Sequence, residues 1–428
     1  MDSGRRSSRL NYKKVLHGLT TACVVALCVT TPLSAQNVER YETVQNRARP
    51  ELDALGLPFG AFTLYPSVEL RFEDVDNIFA DDAIEQDDTI LRVDPQLRLV
   101  SGWSRHRLTL GAEMQAARYS DFDNEDYEDV TVWGDGRIDL SNGRITVALR
   151  HSDLTQERSS TDDNRSVNPV EYSVDRAALS YRYEPGANFA QIGVEFATFD
   201  FDDAALIIGG IDENDDRDRD ITELKLRVGR RLSDEYAGFI ELRADEIDYD
   251  QEFDQFNAQR SSDGYQLLAG TTVDISSVIF GEVYAGYRER DYDDAQFQSA
   301  DGLAFGADVT WNVTGLTTLN FSGSREIDST TIAGASGIEE TRIGVAVDHE
   351  LRRNLIVSAQ GALETEDFEG LDRDDDIQRF MAKLQYMMNR NIYLTAGFEH
   401  RKRDTSPSNS GGREYTINSL FIQVRGQL

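Results

Sequence analysis

Residues 302–324 read GLAFGADVTWNVTGLTTLNFSGS. Taken in steps of two, Leu303, Phe305, Ala307, Val309, Trp311 and Val313 are apolar, while Ala304, Gly306, Asp308, Thr310 and Asn312 between them are small or polar. A short turn at Thr314 and Gly315 follows. Thr317, Leu319, Phe321 and Gly323 then alternate with Thr318, Asn320, Ser322 and Ser324. A polar loop from Arg325 to Gly337 leads to a third run with Thr341, Ile343, Val345 and Val347 on one side. Side chains on a strand point alternately to its two faces, so this pattern means strands with one apolar and one polar face. Runs of ten or more residues are about twice the length usual in soluble sheets and match the ~9–11 tilted residues that cross a bilayer.

The unit of strand, tight turn, strand and long loop repeats along the chain. Strand one runs from Ala61 to Asp74, and Pro66 within it suggests an edge-like start or a bulge. Strand two runs from Asp88 to Ser101, and strands three to five follow as far as a hairpin turn at Ser141, Asn142 and Gly143 and beyond it. Later strands begin near Glu171, Asn188, Ile221, Tyr236, Gly264, Val278, Gly302, Leu316, Ile338, Asn354, Ile377, Asn391 and Arg413. The sum is about eighteen strands, or sixteen if one hairpin is miscounted, an even number as bacterial barrels have. Short connections alternate with long ones rich in Asp, Glu, Ser and Asn, as expected of periplasmic turns and outer loops. The expected fold is therefore all-β: a transmembrane, antiparallel, up-and-down β-barrel spanning 61–428. Aromatic residues near short turns (Trp103, Phe189, Tyr236, Phe280, Trp311, Tyr386) and near long loops (Tyr119, Tyr127, Phe199, Tyr249, Tyr287, Phe398) suggest two girdles at the lipid interfaces.

Composition agrees with this reading. The chain has 428 residues, 39% of them hydrophobic, and a formal charge of −33 from 77 acidic and 44 basic residues. So acidic a chain is no partner for nucleic acid. A modest hydrophobic fraction suits a barrel, because half of each strand faces water. Arg5, Arg6, Arg9, Lys13 and Lys14 precede an apolar stretch from Val15 to Val29 and a small-residue exit ending at Ala35, the order of a secretory signal. Residues 1–35 are read as that signal, with cleavage near Ala35, and 36–60 as a short periplasmic segment. Cys23 and Cys28 leave with the signal, so the mature chain has no thiol.

By alternation, the lumen-lining candidates are Arg92, Arg98, Arg107, Glu113, Asp135, Arg137, Arg227, Glu241, Arg243, Glu282, Arg288, Asp308 and Arg342. Opposed ladders of arginine and carboxylate would orient hydrated solutes; cross-strand ion pairing that stiffens the wall is the plainer reading, and both can hold together. Asp212, Asn214, Asp216, Asp218 and Glu223 have the alternate oxygen spacing of a calcium loop, but Arg217 stands where glycine makes the sharp turn. A solvated acidic loop fits better. His106, His151, His349 and His400 fall at separate strand ends, so no catalytic constellation is expected.

Arg47 to Gly56, Phe62 to Pro66, Asp76 to Phe79, Trp103 to His106 and Gly136 to Leu140 resemble the putative beta-barrel porin 2 family. The resemblance implies an outer-membrane barrel of a Gram-negative bacterium. Its implied surroundings are outer-membrane lipids and lipopolysaccharide, with the barrel assembly machinery acting during biogenesis. The expected function is a passive, porin-like channel for hydrophilic solutes, which needs no cofactor. The alternatives are a conduit for exopolysaccharide or capsule export, working with periplasmic polysaccharide-export proteins, and a structural surface barrel with an occluded lumen.

Overall fold

A computed structural model describes residues 41–408 and 410–428. The signal sequence expected over 1–35 lies outside the described residues. Eighteen strands form the barrel. The first six are β1 (Phe62–Val75), β2 (Asp88–Ser101), β3 (Arg107–Tyr119), β4 (Tyr127–Leu140), β5 (Gly143–Thr155) and β6 (Glu171–Tyr183). The next six are β7 (Asn188–Phe201), β8 (Arg219–Arg231), β9 (Tyr236–Tyr249), β10 (Ser262–Ile275), β11 (Ile279–Tyr292) and β12 (Ala300–Thr314). The last six are β13 (Thr317–Asp328), β14 (Ile338–Arg352), β15 (Leu355–Phe368), β16 (Asp374–Met387), β17 (Ile392–Ser406) and β18 (Tyr415–Gln427).

Each strand pairs antiparallel with its sequence neighbours, and β1 closes the cylinder on β18 from Ser67↔Gln427 to Val75↔Ser419. Closure leaves no strand edge, the condition for a sheet in lipid. Pro66 sits just beyond the first of those pairs, where the ladder to β18 runs out and a residue without an N–H is tolerated. A three-residue strand, Leu57–Phe59, pairs back onto the start of β1.

The strands are 12 to 15 residues long, more than a bilayer needs. Alternation sorts their side chains. One face carries half-exposed aliphatics such as Leu97, Leu149, Ile192, Ile240, Leu267 and Leu363, a surface suited to lipid. The other face bears the ionic residues.

The aromatics are divided between the two faces. Trp103, Tyr236, Tyr287, Trp311 and Tyr386 are exposed on the outside, as girdle residues should be. Phe189, Phe199 and Phe280 are buried on the inner face, and Tyr119, Tyr127 and Tyr249 share that face, so proximity to a strand end misassigned them. The cause is parity: strand ends on both faces fall at the same height.

Several inner aromatics have a structural task. Each faces a glycine directly across the ladder: Trp133 and Gly111, Phe189 and Gly229, Phe239 and Gly270, Tyr284 and Gly306, Phe421 and Gly397. The ring lies over the glycine backbone, the cover that stabilises glycine in a strand. A Cβ on Gly397 would stand 2.4 Å from the Phe421 ring. An arginine closes the other side of some rings, with Arg71 3.7 Å from Phe421, Arg182 3.9 Å from Phe189 and Arg227 4.0 Å from Phe239. We expect Gly397→Val to destabilise the barrel by ~1–3 kcal/mol through overpacking, read as an earlier loss of the compact form on heating in SDS.

Candidate lumen and constriction

All thirteen lumen candidates lie on the face opposite the exposed aliphatics. Some are ion-paired. Arg227 donates to Glu282 at 2.7 and 2.9 Å and also to Glu241, while Arg243 donates to Glu241 at 2.6 Å. Arg342 donates to Glu364 at 2.9 Å, and Arg288 meets Glu339. Arg92 donates to Glu73 at 3.1 Å, and Arg137 to Asp139 at 2.9 Å.

Other placements set like charges together. Arg71 and Arg92, Arg107 and Arg137, Arg144 and Arg182, Arg150 and Arg176, and Arg379 and Arg401 are directly opposite across their ladders. Opposed like charges destabilise a sheet. Carboxylates offset part of that repulsion: Arg71 and Arg92 share Glu73, and Arg137, Arg182, Arg379 and Arg401 hold Asp139, Glu184, Glu364 and Glu157.

Charge is also segregated around the bore at its short-turn end. The β2–β8 arc contributes six arginines, Arg98, Arg107, Arg137, Arg144, Arg182 and Arg227, against Asp135 and Asp139 on β4. The facing arc contributes Asp274, Glu282, Asp308, Asp348 and Glu350. Its inner positions over 270–274, 280–284, 306–312, 318–324 and 344–350 carry no Lys or Arg.

At the long-loop end, the connection 156–170 between β5 and β6 folds inward and reaches the opposite wall. Its root is held by Arg158, which grips both oxygens of buried Glu125 at 2.8 and 2.7 Å and also donates to Ser166 at 3.1 Å. Burial disfavours the charged Arg158 guanidinium, but Glu125 and Asp163 outweigh it and hold its pKa above the ordinary value. Its tip is caught from β15 to β18. Arg401 donates to Glu157 at 2.8 Å and Ser159 at 2.6 Å, and Arg403 donates to Thr161 at 2.6 Å. Arg413 donates to the carbonyls of Ser160 and Asp163 at 3.1 and 3.0 Å. Thr330, after β13, donates to Asp162 at 2.9 Å.

The loop divides the mouth unequally. On one side lies a cavity of about 210 Å³, lined by Glu73, Arg92, Tyr119, Tyr127, Arg379 and Glu399 among others. On the other is one of about 50 Å³, bounded by Arg217, Arg219, Tyr249 and Asp328.

The described part of the N-terminal segment also lies inside, at the short-turn end. Val44 is fully buried against Ile356 and Met387. Its backbone N–H donates to Thr318 at 3.0 Å, and Gln45 donates to Asp348 at 2.6 Å and Ser358 at 3.0 Å. Arg49 donates to Glu350 at 2.7 Å, and the Leu52 carbonyl accepts from Tyr393 at 2.9 Å.

The five residues with calcium-loop spacing do not converge. Asp212 accepts from Asn164, Asn214 donates to the Asp202 carbonyl, Asp216 accepts from the Gln255 backbone and Asp218 from the Phe201 backbone. Glu223 lies on β8 beside Lys225. Among the described residues no three His, Cys, Asp or Glu side chains are grouped to hold a metal ion. Sequence reasoning missed the two inward segments, because their partners lie far along the chain. Arg413 and Asp163 are 250 residues apart.

An edge-free antiparallel cylinder with a lipid-type exterior and an ionic bore defines an outer-membrane β-barrel of the porin type. The putative beta-barrel porin 2 pattern matches residues 49–428, and the chain belongs to that family. Among solved structures it is similar to Pseudomonas aeruginosa OpdO, with 12% identity over 86% of this chain and 97% of that one and a TM-score of 0.44. Pseudomonas aeruginosa OccK2 (OpdF), in complex with glucuronate, gives 11% identity over 85% and 98% with a TM-score of 0.43. Acinetobacter baumannii OccAB4 gives 11% over 85% and 98%, also with a TM-score of 0.43. No curated protein matches the chain.

Proposed function

We propose that the barrel is a passive channel for small hydrophilic solutes, with a preference for anions. The carrying observation is the set of five arginine pairs opposed across the inner ladders. Wall carboxylates offset part of the repulsion in these pairs, and an anion lying against one would offset more, so each pair is a weak station for a carboxylate or phosphate in transit. No bond changes and no cofactor takes part. An export conduit for a polymer is not favoured, since the 156–170 loop spans the mouth. The same loop is what an occluded structural barrel would have, and a planar bilayer separates the two. Purified protein under a salt gradient is expected to conduct with a reversal potential of anion-selective sign. A silent bilayer, or cation selectivity, would refute the proposal.

Export through a secretory signal in a Gram-negative cell, cleaved near Ala35, completes this reading; N-terminal sequencing of the mature protein is expected to begin at Gln36. Lipopolysaccharide would surround the outer half of the barrel, and the barrel assembly machinery would insert it.

A further inference from the structure

The short-turn mouth has two arcs of opposite charge, and only one is covered. The segment from Tyr41 to Asp53 lies along the acidic arc. Tyr41 donates to Asp274 at 3.2 Å and stacks edge-on against Phe280 with ring centroids 5.0 Å apart. Asn312 donates to the Glu42 carbonyl at 2.7 Å. Asp348 is capped by Gln45, and Glu350 by Arg49 at 2.7 Å and Arg47 at 3.5 Å. Three of the arc's five carboxylates are thus covered by this segment, and a fourth, Glu282, is held by Arg227. The segment's own contacts do not reach the arginine arc on β2–β8; the Arg227–Glu282 pair is the link between the two arcs.

We propose that residues Tyr41–Asp53 are the specificity-determining lining of the channel: a tethered insert that masks the acidic arc, so that solutes at this mouth meet the arginine arc. The inference rests on the channel reading above and adds the origin of its selectivity.

The segment acts by cover, not by surplus charge. Two of its three acids are occupied nearby, Glu51 facing Arg353 at 3.1 Å and Asp53 accepting the Arg49 backbone N–H at 2.5 Å, and the third, Glu42, is half-buried. Val44, with no exposure, anchors the segment in an apolar seat, and Arg49, nearly as buried, adds backbone contacts to Arg353 and Val44. A segment resting loosely in the bore would not be buried at its centre. Carboxylates uncovered in a narrow bore attract cations strongly, because the low-dielectric wall focuses their field.

The test compares reversal potentials in a planar bilayer under a potassium chloride gradient. The variants are a deletion of 41–53 and the double substitution Arg47→Ala with Arg49→Ala. Deletion is expected to raise the cation-to-anion permeability ratio by about threefold or more, and the double substitution to shift it part of the way. If the deleted form loses its heat-modifiable, compact migration in SDS, the double substitution decides the matter. A conducting parent whose ratio is unchanged in the folded deletion, or in the double substitution when that decides, overturns this inference and leaves the channel reading standing. A silent parent overturns both.

Discussion

Replacing residues Glu157–Asn168 by a short glycine–serine connection is expected to raise single-channel conductance about two- to fivefold. The loop links the β5–β6 side of the mouth to β17 and the β17–β18 connection, through Arg401, Arg403 and Arg413. Removing it joins the two cavities into one path. The barrel should survive, because the β5–β6 ladder runs from Gly143↔Tyr183 to Thr155↔Glu171 without using the loop. Glu125 is buried beneath Arg158, and it would be returned to water, not stranded. The anion preference should grow, since Arg401, Arg403 and Arg413 lose their loop partners and face the bore. The milder Arg158→Ala frees only the root of the loop, and noisy, fluctuating openings are expected from it. Unchanged conductance in the loop-deleted form would move the narrowest point to the short-turn end, where Tyr41–Asp53 lies.

The strands could be read from sequence because the bilayer imposes a period of two wherever a strand has lipid on one side. Asp88–Ser101 and the turn at Ser141–Asn142 stand where the alternation puts them. Lumen parity was legible for the same reason, as Arg227, Glu241 and Glu282 illustrate. Partnership was not. Alternation says that Glu241 faces inward, but not that Arg227 reaches past it to Glu282 two strands further on. Nor does it say that Asp163 meets Arg413. Inward folding of a loop is decided by a few ion pairs between distant segments, and local pattern carries no trace of them. The charge segregation was within reach, since once parity is assigned the lack of Lys and Arg on the inner positions at the short-turn end of β10–β14 can be read directly. The aromatics failed because height along a strand was used without parity.

Glu241→Ala should be among the most destabilising single substitutions in the wall. Glu241 has no exposure, and it accepts from Arg243 at 2.6 Å and from Arg227. Arg227 keeps its two bonds to Glu282, so its charge remains answered. Arg243 does not fare so well: it is buried, with the Tyr284 ring 5.2 Å away, and loses its carboxylate partner. Breaking a buried pair from one side costs ~3–5 kcal/mol, because a charge is left without compensation in a place water reaches poorly. The expected result is a large fall in the temperature at which the folded form is lost on heating in SDS. Glu241→Gln, which keeps an acceptor, should fall in between. Adding Arg243→Leu to Glu241→Ala should recover most of the loss, since removing both partners removes the stranded charge. The exposed outer pair of Arg118 and Glu128 is the control: breaking it should cost less than about 1 kcal/mol. If Glu241→Ala matched that control, water must reach Arg243 freely, and the Arg227–Glu241–Arg243 cluster would be part of the solute path and not part of the wall's frame.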